Sequence, residues 1–187
     1  MAGPDKLETV VTYLQMRSPP VSAPPPPPAK PHAVMKVEQV PLYFYRYLYE
    51  TVGSSILWWE RTIMPDDDLR AALDEDGRDV FVLYVGGAPA GYYELAETRE
   101  DSRKAIELAY FGLFPEFIGQ GFGAWLLRAA IDEAWSRNPA RMWLHTCTYD
   151  HPRALPNYQR AGFEPYKQET QVVDDPRVVA RLEKSGS

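Results

Sequence analysis

The apolar positions fall into short blocks, some at strand period and some at helix period. Val10 to Met16 is rich in β-branched and aromatic residues and reads as a first strand. Glu38 to Val52 reads as a helix carrying Tyr43, Phe44, Tyr45, Tyr47 and Tyr49, and Ser54 to Met64 continues it with Trp58 and Trp59. Pro65 followed by Asp66, Asp67 and Asp68 reads as a helix N-terminus, with Leu69, Ala72 and Leu73 turned inward. Acidic residues complement the dipole there, so this run needs no metal to explain it. Val80 to Val85 and Ala90 to Leu95 read as second and third strands, joined by a turn at Gly86-Gly87-Ala88-Pro89. Ala105 to Phe114 is a fourth strand. Gly121 to Arg137 is an amphipathic helix, with Leu127, Ala130, Ile131 and Ala134 on one face, and it ends before Asn138-Pro139. Met142 to Thr148 is a fifth strand, Pro152 to Ala161 a short helix stopped by Gly162, and Phe163 to Val173 a last strand. Asp175 to Lys184 reads as a terminal helix. Mixed strands and helices without an internal repeat give an α/β (α+β) class.

Between the first strand and the first helix lies a proline block, with Pro24 to Pro28 consecutive. Proline offers no backbone donor, so residues 18–31 are expected to be extended or polyproline II. They read as a semi-rigid loop, with a ligand for a proline-binding domain as the alternative.

Composition narrows the class. The chain has 187 residues, 45% hydrophobic and 25% charged, and is expected to form one compact domain over 1–187. The net charge of −6 and pI of about 5.1 argue against a nucleic-acid partner, which requires clustered Lys and Arg. The single cysteine, Cys147, allows no intrachain disulfide and agrees with a reducing compartment. No apolar run approaches membrane-spanning length, and Met1 to Val10 has no signal-peptide core. The expected location is cytoplasmic, with no membrane partner; a homodimer stays open.

The informative segment runs from Phe114 to Leu127. A strand leads into Pro115, then the alternate glycines Gly119, Gly121 and Gly123, then a helix. Alternate glycines leave backbone N–H groups unscreened, and at a helix start these donors make a seat for a pyrophosphate. A Walker loop would need Lys and then Ser or Thr where Ala124 and Trp125 stand. A dinucleotide fingerprint fits formally as Gly119, Gly121 and Ala124. But four residues separate strand from glycines, and no acidic residue ends a strand some twenty residues further on.

The segment resembles the acyl-CoA loop of the GNAT acetyltransferase superfamily: Pro115, Ile118, Gly121, Gly123, then Leu126 and Leu127. Ile118 stands where the family has Arg or Gln, at a position that contributes mainly its backbone. A second block, Asp150 to Phe163, looks like the family's short helix carrying Ala, then Tyr158, then Gly162-Phe163. His151 stands there where many members have Asn, and Asn157 where they have Leu. The two blocks cover about half the chain. The resemblance implies a three-layer fold with a mixed central sheet, flanked by helices and splayed between the fourth and fifth strands read above. It implies acetyl-CoA as cosubstrate, with its pantetheine arm in that wedge against the backbone of Phe111, Gly112 and Leu113. The loop Ile118, Gly119, Gln120, Gly121, Phe122, Gly123 and Ala124, with His151, would hold the remainder, and Tyr158 would reach the sulfur.

An amine must be neutral to attack a thioester, and the leaving thiolate is helped by a proton. Tyr158, a phenol, suits the second task; the alternative is a core tyrosine. His145 suits the first because imidazole titrates near neutrality, with Glu107 on the neighbouring strand as the other candidate base. Cys147 shares His145's strand face and reads as a ping-pong nucleophile or a small core residue. The expected reaction is acetyl transfer to a primary amine of a small molecule by direct attack. A non-catalytic acyl-CoA-binding regulator, a nucleotide-binding module, and a protein N-terminal or lysine acetyltransferase are the alternatives. The aromatics of residues 38–73 are expected to divide between core and acceptor pocket.

Overall fold

The computed structural model describes residues 6–54, 56–175 and 178. The terminal helix expected at residues 175–184 lies outside this range but for Asp175 and Val178. The elements are β1 (Lys6–Met16), β2 (His32–Val37), α1 (Leu42–Gly53), α2 (Glu60–Ile63), α3 (Asp66–Leu73), β3 (Asp79–Val85), β4 (Ala88–Glu100), β5 (Arg103–Leu113), α4 (Phe122–Ser136), β6 (Arg141–Cys147), α5 (Ala154–Arg160) and β7 (Glu164–Asp174).

Among the described residues, seven strands form one sheet in the order β2-β3-β4-β5-β6-β1-β7. Among the described neighbouring pairs only β5 and β6 are parallel, so the sheet is mixed. One core packs α4 and Tyr158 of α5 against Leu14, Leu83, Leu95, Ile106 and Leu144. A second packs α1 and α3 against Val80, Val82 and Tyr92 on the opposite face. Those are the three layers. β2 escapes the sequence reading because it is a short edge strand, only half-buried, with Lys36 in its row. The expected split between the fourth and fifth strands therefore falls between β5 and β6.

Two helix boundaries differ from expectation. α1 begins at Leu42, not Glu38, because Pro41 cannot sit inside a helix and instead serves as its N-cap. Ser54 to Met64 is not one continued helix: Leu57 has a φ of 58°, and only α2 re-forms. Trp58 then folds back so closely over Gly53 that a Cβ there would lie 2.5 Å from the tryptophan's own. Arg46 ties this segment down, donating to the carbonyls of Arg61 (2.7 Å), Thr62 (2.8 Å) and Met64 (2.7 Å). It also pairs with Asp66 at 2.6 Å, which gives the aspartate run a structural partner.

The proline block acquires a reason from the strand order. β1 lies between β6 and β7, antiparallel to both, while β2 is the far edge. The chain must cross five strand spacings, about 24 Å, and clear α4 on the way. Fifteen residues of polyproline II reach about 46 Å. The strap lies on α4: Arg128 donates to the Ser22 carbonyl (2.8 Å), Lys30 to Gln120 (2.8 Å), and His32 sits edge-on to Trp125 at 4.3 Å.

Glu94 lies in the middle of β4 and is fully buried. Arg78 pairs with it, and the Tyr45 hydroxyl donates to it at 2.6 Å. Tyr45→Phe is expected to cost about 1–2 kcal/mol, since it leaves a buried carboxylate short of a donor. Chemical denaturation checks this; an unchanged midpoint would contradict it.

Candidate functional site

β5 and β6 pair only at Ala105–Arg141, Ile106–Met142 and Glu107–Trp143. Beyond Glu107 the strands part, so the edge of β5 from Leu108 to Leu113 is unpaired on that side. On its other side β5 stays paired with β4, but the register slips: Glu94 faces Tyr110 while Leu95 faces Leu108. Ala109 is thus an extra, bulged residue. A cavity of about 790 Å³ opens in the gap.

The cavity brings together most of the residues singled out in the sequence. Glu107, Phe111, Gly112, Leu113, Ile118, Gly119, Gly121, Gly123, Ala124, His145, His151 and Tyr158 all line it. Gln120 and Phe122 do not. Gln120 turns its side chain to Lys30 and to the Glu116 carbonyl, and Phe122 is buried against Phe117 and His32.

The loop fits a phosphate-bearing group. Gly119 and Gly121 have φ of 82° and 87°, a region that favours glycine, and a Cβ at either would meet open space. Gly121 caps α4 with no side-chain hydrogen bond, so the first N–H groups of α4 have no capping partner of that kind. Gly112 serves close packing instead: a Cβ would stand 2.1 Å from Val52 Cγ1.

On β6, the residues Trp143, His145 and Cys147 share a face, and Gln15, Tyr13 and Val11 of β1 are their register partners in that order. His145 Nδ1 lies 3.5 Å from Glu107 Oε1, across the point where the strands part. The two residues read as alternative bases are thus one pair. Hydrogen bonding to Glu107 outweighs partial burial and raises the imidazole above its ordinary value. Burial pushes the Cys147 thiol up and the Tyr158 phenol up, so both stay protonated at neutral pH. Tyr158 packs edge-on to Phe111 and Phe163, each at 6.2 Å between ring centroids. His151 accepts from the Arg153 N–H through Nδ1 (3.1 Å) and so shapes the turn into α5.

The aromatic region divides as follows. Tyr45 and Tyr49 are fully buried, Tyr43 and Tyr47 are exposed, and only Trp58 and Trp59 reach the cavity. Trp58 packs on Tyr49 and Tyr110 at 5.4 and 5.1 Å. Its Nε1 donates to Asp150 at 3.2 Å, linking the α1–α2 connection to the turn after β6.

Sequence reasoning missed Asp150, which also accepts from Thr146 Oγ1 (2.6 Å) and the Cys147 N–H (2.9 Å). It also missed Glu60, Arg61 and Arg78, three charged residues lining the same cavity. Asp150 opens the very block read for its tyrosine. A carboxylate inside the apolar run Ala90–Leu95 was the available signal that buried cations must lie nearby.

The profile of the acetyltransferase (GNAT) family matches residues 43–163. The chain belongs to that family; it is an N-acetyltransferase, and the family uses acyl-CoA. Among the curated proteins no sequence matches this chain. Solved structures share the fold. A tandem GNAT protein from the clavulanic acid biosynthesis pathway is 17% identical with a TM-score of 0.62, over 89% of this chain and 53% of its own. The chain thus spans about half of that protein. An aminoglycoside N-acetyltransferase in complex with CoA is 21% identical with a TM-score of 0.55, over 75% and 93%. An aminoglycoside acetyltransferase from an uncultured soil metagenomic sample, in complex with trehalose, is 14% identical with a TM-score of 0.59, over 70% and 87%. No described helix is long and apolar enough to cross a membrane.

Proposed function

We propose that this protein transfers an acetyl group from acetyl-CoA to the primary amine of a small molecule, by direct attack in the cavity between β5 and β6. The observation that carries the reading is the convergence on one cavity of an open glycine loop, a strand edge free to pair, and a histidine–glutamate pair. Acetyl-CoA supplies the activated acyl group. The loop amides from Gly119 to Ala124 hold its phosphates, with Gln120 and Phe122 contributing backbone only. The free edge of Phe111, Gly112 and Leu113 holds the pantetheine as an added strand would be held.

His145 takes the proton from the amine, and Glu107 orients the imidazole and stabilises the imidazolium. Tyr158 keeps its proton at the hydroxyl for the departing sulfur. Burial holds Cys147 as a thiol, a weaker nucleophile than the thiolate, which favours direct attack over ping-pong. A small acceptor suits the aromatic lining supplied by Trp58, Trp59, Tyr110 and Tyr149. The test is thiol release across amino acids, polyamines, aminoglycosides, arylalkylamines and N-terminal peptides. Preference for a peptide over every small amine would overturn the acceptor class.

His145→Gln is expected to remove an ionisation from the acid limb of the kcat/KM profile, because only neutral imidazole accepts the proton. Glu107→Gln is expected to move that limb to lower pH, since the hydrogen bond that raises His145 is lost. The same pair gives a stability signature. A group raised on folding stabilises the fold fully below its ordinary value, 6.5 for imidazole, and the effect fades as pH climbs through the raised value. Profiles identical to wild type in both variants would remove the pair from the mechanism.

A further inference from the structure

The charged residues that line the cavity divide into two groups. One group is matched within the protein. Glu107 stands with His145, Arg61 and Arg78 pair with Glu94, and Asp150 accepts from Thr146, the Cys147 N–H and Trp58. The other group is Arg153 and Arg160, which line the cavity from α5. Both are exposed, and among the described residues neither pairs with a carboxylate. The chain carries 26 acidic residues against 20 basic ones, yet none of the acids is paired here.

α5 sets the two arginines in line. Arg153 is its N-cap and Arg160 its last residue. Seven residues span close to two helical turns, so both lie on one face with Asn157 between them. Asn157 lines the cavity too, as do Gly119, Gly121 and Gly123 of the glycine loop. The Asn157 side-chain oxygen accepts from Arg160 and holds its guanidinium along this face.

This wall supplies what the loop lacks. The loop offers backbone N–H groups, while Ile118 and the three glycines bring no side-chain charge. Gln120 turns its side chain to Lys30, away from the cavity lining. Acyl-CoA carries a phosphate on its ribose 3′ oxygen besides the pyrophosphate. Backbone donors at a helix start suit the pyrophosphate. The 3′-phosphate is a terminal monoester and close to a dianion at neutral pH, and the planar forks of arginine match its oxygens in two-point geometry. We infer that Arg153 and Arg160 bind the 3′-phosphate of acyl-CoA and make the protein select CoA over its 3′-dephospho form. The inference rests on the acyl-CoA reading of the cavity and adds to it a determinant of cosubstrate choice.

The experiment is calorimetry of the full-length protein with CoA and with 3′-dephospho-CoA, at low and at raised KCl. Wild type is expected to bind CoA at least about tenfold more tightly than the 3′-dephospho form. The preference should shrink as KCl rises, because both guanidinium groups are exposed and therefore screened. This comparison does not depend on how any variant folds. Arg153→Met combined with Arg160→Met is expected to bring the two affinities close to equality by weakening CoA, with the affinity for 3′-dephospho-CoA almost unchanged. Arg153→Lys combined with Arg160→Lys, which keeps the charge but not the fork, should restore part of the preference. Equal wild-type affinities would overturn the inference and leave acyl-CoA binding standing. So would a double methionine variant that weakens both ligands alike, since that would put the arginines on the pyrophosphate, or one that weakens neither. Binding of neither ligand by wild type would overturn this inference and the acyl-CoA reading together.

Discussion

Gly121→Glu is expected to abolish measurable acetyl-CoA binding, with an affinity loss of about 10²-fold or more. Three effects act together. The residue sits at φ 87°, a conformation that costs a side-chain-bearing residue about 1–2 kcal/mol. The open space above its Cα is the space a phosphate would take. A carboxylate there would set negative charge against negative charge at the uncapped start of α4. Calorimetry reads the result directly. Gly119→Glu should behave alike, as its φ is 82° and its surroundings are equally open. Undiminished binding in both variants would move the phosphates elsewhere.

Tyr158→Phe is expected to lower kcat by about 10²-fold while acetyl-CoA affinity changes little. The hydroxyl of Tyr158 makes no hydrogen bond to any described residue, whereas its ring is built into the core between Phe111 and Phe163. Removing one oxygen therefore leaves packing intact and deletes only the proton donor. Burial keeps the phenol protonated, so it can donate at neutral pH. A purely structural tyrosine would give the opposite pattern, with turnover unchanged. Measuring kcat and KM separately distinguishes the two.

The parts of the fold that were legible in the sequence are those set by local chemistry. The Gly86-Gly87 turn, Pro65 before three aspartates, and the 3.6-period face of α4 each state an element within a few residues. The glycine loop and the Tyr158 helix were legible for the same reason, because each is a contiguous block. What was not legible depends on residues far apart. β2 is recognisable only through its pairing with β3, and the place of β1 between β6 and β7 only through the sheet. The proline block looked like a linker until the strand order showed the distance it spans. His145 and Glu107 read as rivals because they lie on different strands, and their side chains meet at 3.5 Å where β5 and β6 part. Arg61, Arg78 and Glu94 come from α2, the loop before β3, and β4, and carry no local motif. Five aromatics in seven positions suggested a pocket lining, yet α1 turns Tyr45 and Tyr49 inward and leaves Tyr43 and Tyr47 at the surface.

In the proposed reaction this cavity joins an acyl-CoA to an amine. The most direct measurement is stoichiometric: thiol released from acetyl-CoA and N-acetylated product counted by mass spectrometry in the same reaction, with a panel of small amines. One thiol per acetylated amine is expected, with a rate that depends on amine concentration and with loss of both signals in Gly121→Glu. Tight binding of NAD or ATP without CoA, or CoA binding with no amine in the panel ever acetylated, would contradict it.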